Sequence, residues 1–114
     1  MDTLPTTMTI SDRTYEILTL HKDGETYVKS DIMVERAVEM NANLGKDDGQ
    51  HLLDHQDEIP VALRGKVVFV FTDWRHPGVP GRVYCVYWSG SRWVEGWSWF
   101  DSDFYEHCRV LRRK

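Results

Sequence analysis

The chain of 114 residues has no long apolar run, only two cysteines and four prolines, and little positive charge in its first half. No stretch approaches the ~20 apolar residues that span a bilayer, so no membrane segment is expected. Met1–Ile10 hold Asp2 and Pro5 without a basic cluster, unlike a secretory signal, which predicts a cytoplasmic protein. Cys85 and Cys108 are too few for a disulfide framework or a zinc motif and read as small, buried, reduced thiols. Also lacking are a phosphate loop, a dinucleotide glycine fingerprint, Gly-x-Ser-x-Gly and Cys-x-x-Cys. The expectation is therefore no cofactor and a binding protein rather than an enzyme.

Charge is uneven. Residues 1–65 carry six Lys/Arg against thirteen Asp/Glu, and residues 66–114 carry eight against five. The acidic half excludes a nucleic-acid surface, and the small positive excess of the second half is a weak footprint for one. The opposed signs allow one subunit's acidic half to meet another's basic half. The hydrophobic share of 41% and charged share of 28% are those of an ordinary soluble protein, and the length predicts one domain over 1–114, with 1–13 a flexible N-terminal segment.

Thr14–His21 is rich in strand formers, and the turn Lys22–Glu25 predicts that it pairs with Thr26–Lys29 as an N-terminal hairpin. Ser30 and Asp31 are good N-caps for a helix over 32–44, with Gly45 placed to end it. Met33, Ala37, Met40 and Leu44 form its apolar stripe, widened by Val34 and Val38. Polar 46–49 breaks the pattern, His51–Glu58 predicts a second short helix, and Pro60–Leu63 a helical turn closed by Gly65.

Lys66–Trp74 is the strongest strand, with Val67, Phe69 and Phe71 on one face and Val68, Val70 and Trp74 on the other. Arg75–Gly81 reads as a loop, Arg82–Trp88 and Arg92–Phe100 as strands, Asp101–Asp103 as a cap and brief helical turn, and Arg109–Arg112 as a final edge strand. The expected fold is α+β: an antiparallel meander of three to four strands over 66–112, an N-terminal hairpin, and the helix 32–44 packed on the sheet.

What the sequence has in excess is aromatic. Nine of its fourteen aromatic residues lie between 84 and 105, including Trp88, Trp93, Trp97 and Trp99. If Gly90-Ser91 is a two-residue turn, Trp88 pairs with Trp93, Val86 with Glu95, Tyr84 with Trp97 and Arg82 with Trp99, all on one face. The other face holds Tyr87 with Val94, Cys85 with Gly96 and Val83 with Ser98, a small apolar surface suited to the helix stripe. Because the first face also carries Arg82 and Glu95, it predicts a partly exposed aromatic ladder rimmed by charge. The opposing interpretation is that the N-terminal hairpin or segment 46–64 covers it.

The function expected is a binding or self-associating module, with a protein partner or a second copy, a homodimer included, on Tyr84, Trp88, Trp93, Trp97, Trp99, Arg82, Arg92 and Glu95. A base- or sugar-stacking platform is a further use of the same rings, with nucleic acid disfavoured by charge. The alternative is a small-molecule or metal-dependent enzyme built on His51 and His55, four apart as helical metal ligands are, and on His76 in the Pro/Gly loop. His107 beside Cys108, and Asp73 with Glu95 as an acid–base pair, are weaker constellations.

Overall fold

The structure, a computed structural model, describes residues 4–19, 27–76, 78–99, 103–105 and 108–114, with side chains described for these except 27–31, 75–76, 79–82, 97–99 and 103–105. Among these residues two α-helices, two short 3₁₀ turns and eight strands follow in the order β1 (Thr7–Ile10), β2 (Arg13–Leu18), β3 (Tyr27–Lys29), α1 (Ser30–Glu39), α2 (Lys46–Asp54), 3₁₀ turns at Gln56–Glu58 and Val61–Leu63, β4 (Val68–His76), β5 (Val79–Trp88), β6 (Trp93–Trp99), β7 (Asp103–Tyr105) and β8 (Cys108–Arg113). Six strands form one sheet in the order β1-β2-β8-β4-β5-β6, and β3 pairs with β7 separately. The class is α+β, but the sheet is mixed and six-stranded rather than a meander of three to four.

The difference comes from β8. Its expected place was an edge; it lies in the middle, antiparallel to β2 and parallel to β4, where Val68 meets Cys108 and Phe69 meets Arg109. Alternation along Cys108, Val110 and Leu111 buries apolar side chains on both faces, which a central strand requires. The N-terminal hairpin is also different. Strand β2 turns back at Ser11-Asp12 onto β1 and not onto Tyr27–Lys29, with Ser11 at φ 57. Within the N-terminal segment 1–13, Met8 and Ile10 are buried in the core. The proposed turn at 22–25 lies outside the described residues, as do 101 and 102; Asp103 begins a strand where a helical turn was expected.

Helix α1 ends earlier than expected. Asn41 adopts φ 60, its N–H reaches Val38 O at 3.1 Å, and Ala42 N–H reaches Ala37 O at 2.7 Å. This is a Schellman ending with asparagine in the position expected of Gly45. Gly45 instead precedes α2, whose first turn is the supposed break at 46–49; Asp47 and Asp48 there suit the positive end of the helix dipole. Strand β4 carries a bulge between Phe71 and Arg75, so Trp74 joins the face of Phe69 and Phe71 and not that of Val70. The bulge is tied to the loop before α2 by Asp73 N–H to Leu44 O at 3.0 Å and by a Thr72–Asn43 side-chain bond. Past it, the strands run through most of the predicted loop, with His76 opposite Val79.

Both faces of the sheet are covered. Met33 and Ala37 of α1 pack on Val70, Val83, Cys85, Cys108 and Val110, the face expected to receive that stripe. Leu52 of α2, with Ile59 and Leu63 after it, packs on Phe69, Phe71, Trp74, Val86, Trp93 and Leu111. Cys85 and Cys108 lie on strands separated by β4, about 10 Å apart and out of disulfide range. Among the described residues no helix is long and apolar enough to cross a membrane.

Candidate functional site

The β5–β6 hairpin has the register that the Gly90-Ser91 turn predicts: Trp88↔Trp93, Val86↔Glu95, Tyr84↔Trp97 and Arg82↔Trp99. Gly90 takes φ 107, open to glycine at little cost, and Ser89 N–H closes the turn on Arg92 O at 2.8 Å. Among the described side chains of this face, the rings are covered to different extents. Trp93 is wholly buried beneath α2 and the segment after it, with its ring centroid 5.4 Å from Phe69 and 5.9 Å from Trp88. Trp88 is half-buried and capped by the Arg64 guanidinium, 4.5 Å from its centroid. Tyr84 is half-buried and stacked on Trp74 at 4.4 Å and 14°. Trp93, Trp88 and Tyr84 thus belong to the covered side. Glu95 misled because it lies on the last strand of the sheet, where a side chain reaches solvent at the rim while its neighbour Trp93 stays inside. For Trp97, Trp99 and Arg82 the strand pairing is described and the side chains are not.

Among the described residues, the hairpin leaves an edge open. β6 is last in the sheet order. With Ser89 and Arg92 bonded, alternation makes Tyr87/Val94, Cys85/Gly96 and Val83/Ser98 the bonded pairs. The main-chain groups of Trp93, Glu95, Trp97 and Trp99 therefore point away from β5. At Trp93 this is seen directly. Its N–H donates to Gln56 Oε1 at 2.8 Å, and its C=O accepts from Gln56 Nε2 at 3.2 Å. One side-chain amide makes the two bonds that a peptide of a neighbouring strand would make.

Beside the edge runs an open groove of about 400 Å³, lined by Gln50, Leu53 and Asp54 of α2 and by Arg92, Val94 and Glu95. Val94 and Glu95 point to opposite faces, so a groove that touches both follows the edge itself. Arg92 and Glu95 are exposed, and Asp54 accepts from Gln50 Nε2 at 3.1 Å. Sequence reasoning named Arg92 and Glu95 but missed Gln56, Gln50, Leu53 and Asp54. Its one available signal was the predicted helix 51–58, whose partner strand could not be read.

The His51/His55 pair is brought together, with ring centroids 4.8 Å apart, but not as a chelate. His51 Nε2 donates to Ile10 O at 2.8 Å, so that nitrogen is spent. His55 Nδ1 lies 3.4 Å from Glu58 Oε2, and Glu58 Oε1 accepts from Ser11 N–H at 2.6 Å. Among the described residues no three His, Cys, Asp or Glu are placed to hold a metal. These groups tie the β1–β2 turn to α2. Asp73 and Glu95 are separated by β5 and sit at different levels, Glu95 beside Val86 and Asp73 beyond Phe71. The side chain of His76 and all of His107 lie outside the described residues.

A second polar cluster had no sequence signal. Asp48, 3% exposed, accepts from Tyr15 Oη at 2.7 Å, from Arg113 Nε and Nη2 at 2.9 Å each, and from Arg13 Nη1 at 3.2 Å. Burial, and then the hydrogen bond to Asp48, push the Tyr15 phenol well above its usual range. It is a donor fixed in its neutral form, and Asp48 is fully engaged, so the cluster holds elements together and offers no nucleophile or base. No protein family, curated protein or solved structure matches the chain.

Proposed function

We propose that the protein is a binding module that takes up an extended polypeptide segment as an added strand on β6. The observation that carries this is the Gln56 amide, which already pairs with Trp93 as a neighbouring strand would and leaves the outward groups of Glu95, Trp97 and Trp99 next in line. The aromatic cluster acquires a different role from the one its composition suggests. Trp93 and Trp88 anchor the hairpin to the core, so the edge is held straight before a partner arrives, and less ordering cost falls on binding. Each main-chain bond contributes about 0.5–1.5 kcal/mol net, too little to offset association costs alone. The groove between α2 and β6 supplies the side-chain contacts.

A proline tests this. The Glu95 N–H faces outward and makes no bond to β5, so Glu95→Pro removes a docking donor while leaving the sheet's own ladder. An extended eight-residue Thr/Val peptide should perturb the Glu95 and Trp97 amide resonances of the parent protein. It should bind Glu95→Gln as well and lose binding to Glu95→Pro. Perturbation centred elsewhere, or equal binding by the proline variant, refutes strand addition.

A further inference from the structure

We infer that the segment docked on β6 carries a lysine or arginine at the position opposite Glu95. This rests on the strand-addition reading and adds the chemistry of the occupant. Gln56 holds the main chain of Trp93, so an incoming strand first pairs at Glu95. Opposite residues of paired strands point to the same face, and the face of Glu95 is that of Trp93, which α2 covers. The side chain opposite Glu95 therefore enters the groove on its α2 side, beside Leu53 and Asp54. Leu53 offers apolar surface to an aliphatic stem, and Asp54 and Glu95 offer two carboxylates to its charged head. Among the described residues Glu95 has no ion pair, and Asp54 is engaged only by the neutral Gln50 amide. Arg92, from the turn before β6, also lines the groove, so the incoming cation enters beside it and is held by the two carboxylates. The net charge of −4 favours approach of a basic segment in the same sense.

The test uses two fluorescein-labelled eight-residue peptides of alternating Thr and Val, identical except for a central Lys or Glu, titrated by fluorescence anisotropy. At low salt the Lys peptide should bind the parent protein about fivefold or more tightly than its Glu twin, since one pair attracts and the other repels. The preference should shrink at about 0.5 M salt and vanish in Asp54→Asn/Glu95→Gln, both exposed positions whose replacement leaves the core intact. Equal affinity of the twins, or a preference that persists in the double variant, overturns the basic partner and leaves strand addition standing. Failure of both peptides to bind at millimolar concentration overturns strand addition itself, and this inference with it.

Discussion

Trp93 combines the largest fully buried side chain with a polar atom that has no partner: its indole Nε1 is enclosed and makes no hydrogen bond among the described residues. A buried donor left unmade costs about 1–3 kcal/mol. The ring's contacts with Phe69 and Trp88 must exceed that for tryptophan to be tolerated. The two terms can be separated by substitution. Trp93→Ala removes the whole ring and should cost about 3–5 kcal/mol in urea unfolding. Trp93→Phe leaves a small cavity but also removes the orphaned N–H, so its cost should stay within about 1 kcal/mol. If phenylalanine proves nearly as damaging as alanine, the indole nitrogen has a partner after all. The sequence count of rings included this residue. Its exposure was misjudged because burial depends on what lies above a face, and α2 is remote in sequence.

At the scale of elements, the contact that seats α2 over this face is between a glycine and a ring. A Cβ at Gly49 would sit 2.3 Å from Trp74, which cannot easily withdraw because it is stacked on Tyr84. Gly49→Ala should therefore destabilise by about 1–2 kcal/mol, overpacking outweighing the helix propensity that alanine gains. Combined with Trp74→Leu, the same alanine should cost much less; additive losses in thermal unfolding would show that the two do not press on each other. This pair also marks the boundary of what was legible. The β5–β6 register was readable because a Gly-Ser turn is a local signal and pairing follows from it by counting. The placement of α1 on the Val83/Cys85 face was readable because small apolar side chains alternate there. The bulge that turns Trp74 toward Gly49 left no trace in composition, and neither did the insertion of β8 between β2 and β4. Alternation reports that a strand is buried, not which distant strand lies beside it. For the same reason Arg92 and Glu95 could be named while Gln56, which meets Trp93 across 37 positions, could not.

At the scale of the molecule, Asp48 joins parts far apart in the chain. Its carboxylate holds β2 through Arg13 and Tyr15 and β8 through Arg113, while Asp47 meets both arginines at 3.3 and 3.1 Å. The start of α2 is thereby fastened to strands at opposite ends of the sequence, which keeps the helix positioned beside the β6 edge. Tyr15→Phe removes one bond to a charged acceptor and should cost about 1.5–3 kcal/mol near pH 7. The alkaline limb gives an independent check. The folded phenol is raised above its ordinary value of 10.0, so the folded state keeps the Tyr15 proton where the unfolded chain releases it. The stability this contributes is complete below about pH 10 and declines by about 1.4 kcal/mol per unit above it, until the folded phenol itself ionises. Phenylalanine has no such proton. The gap in unfolding free energy between the parent protein and Tyr15→Phe should hold steady from pH 7 to about 9.5 and narrow beyond pH 10. A gap that stays constant through pH 11 would mean that Tyr15 ionises as an ordinary phenol and that its bond to Asp48 is not the fastening described.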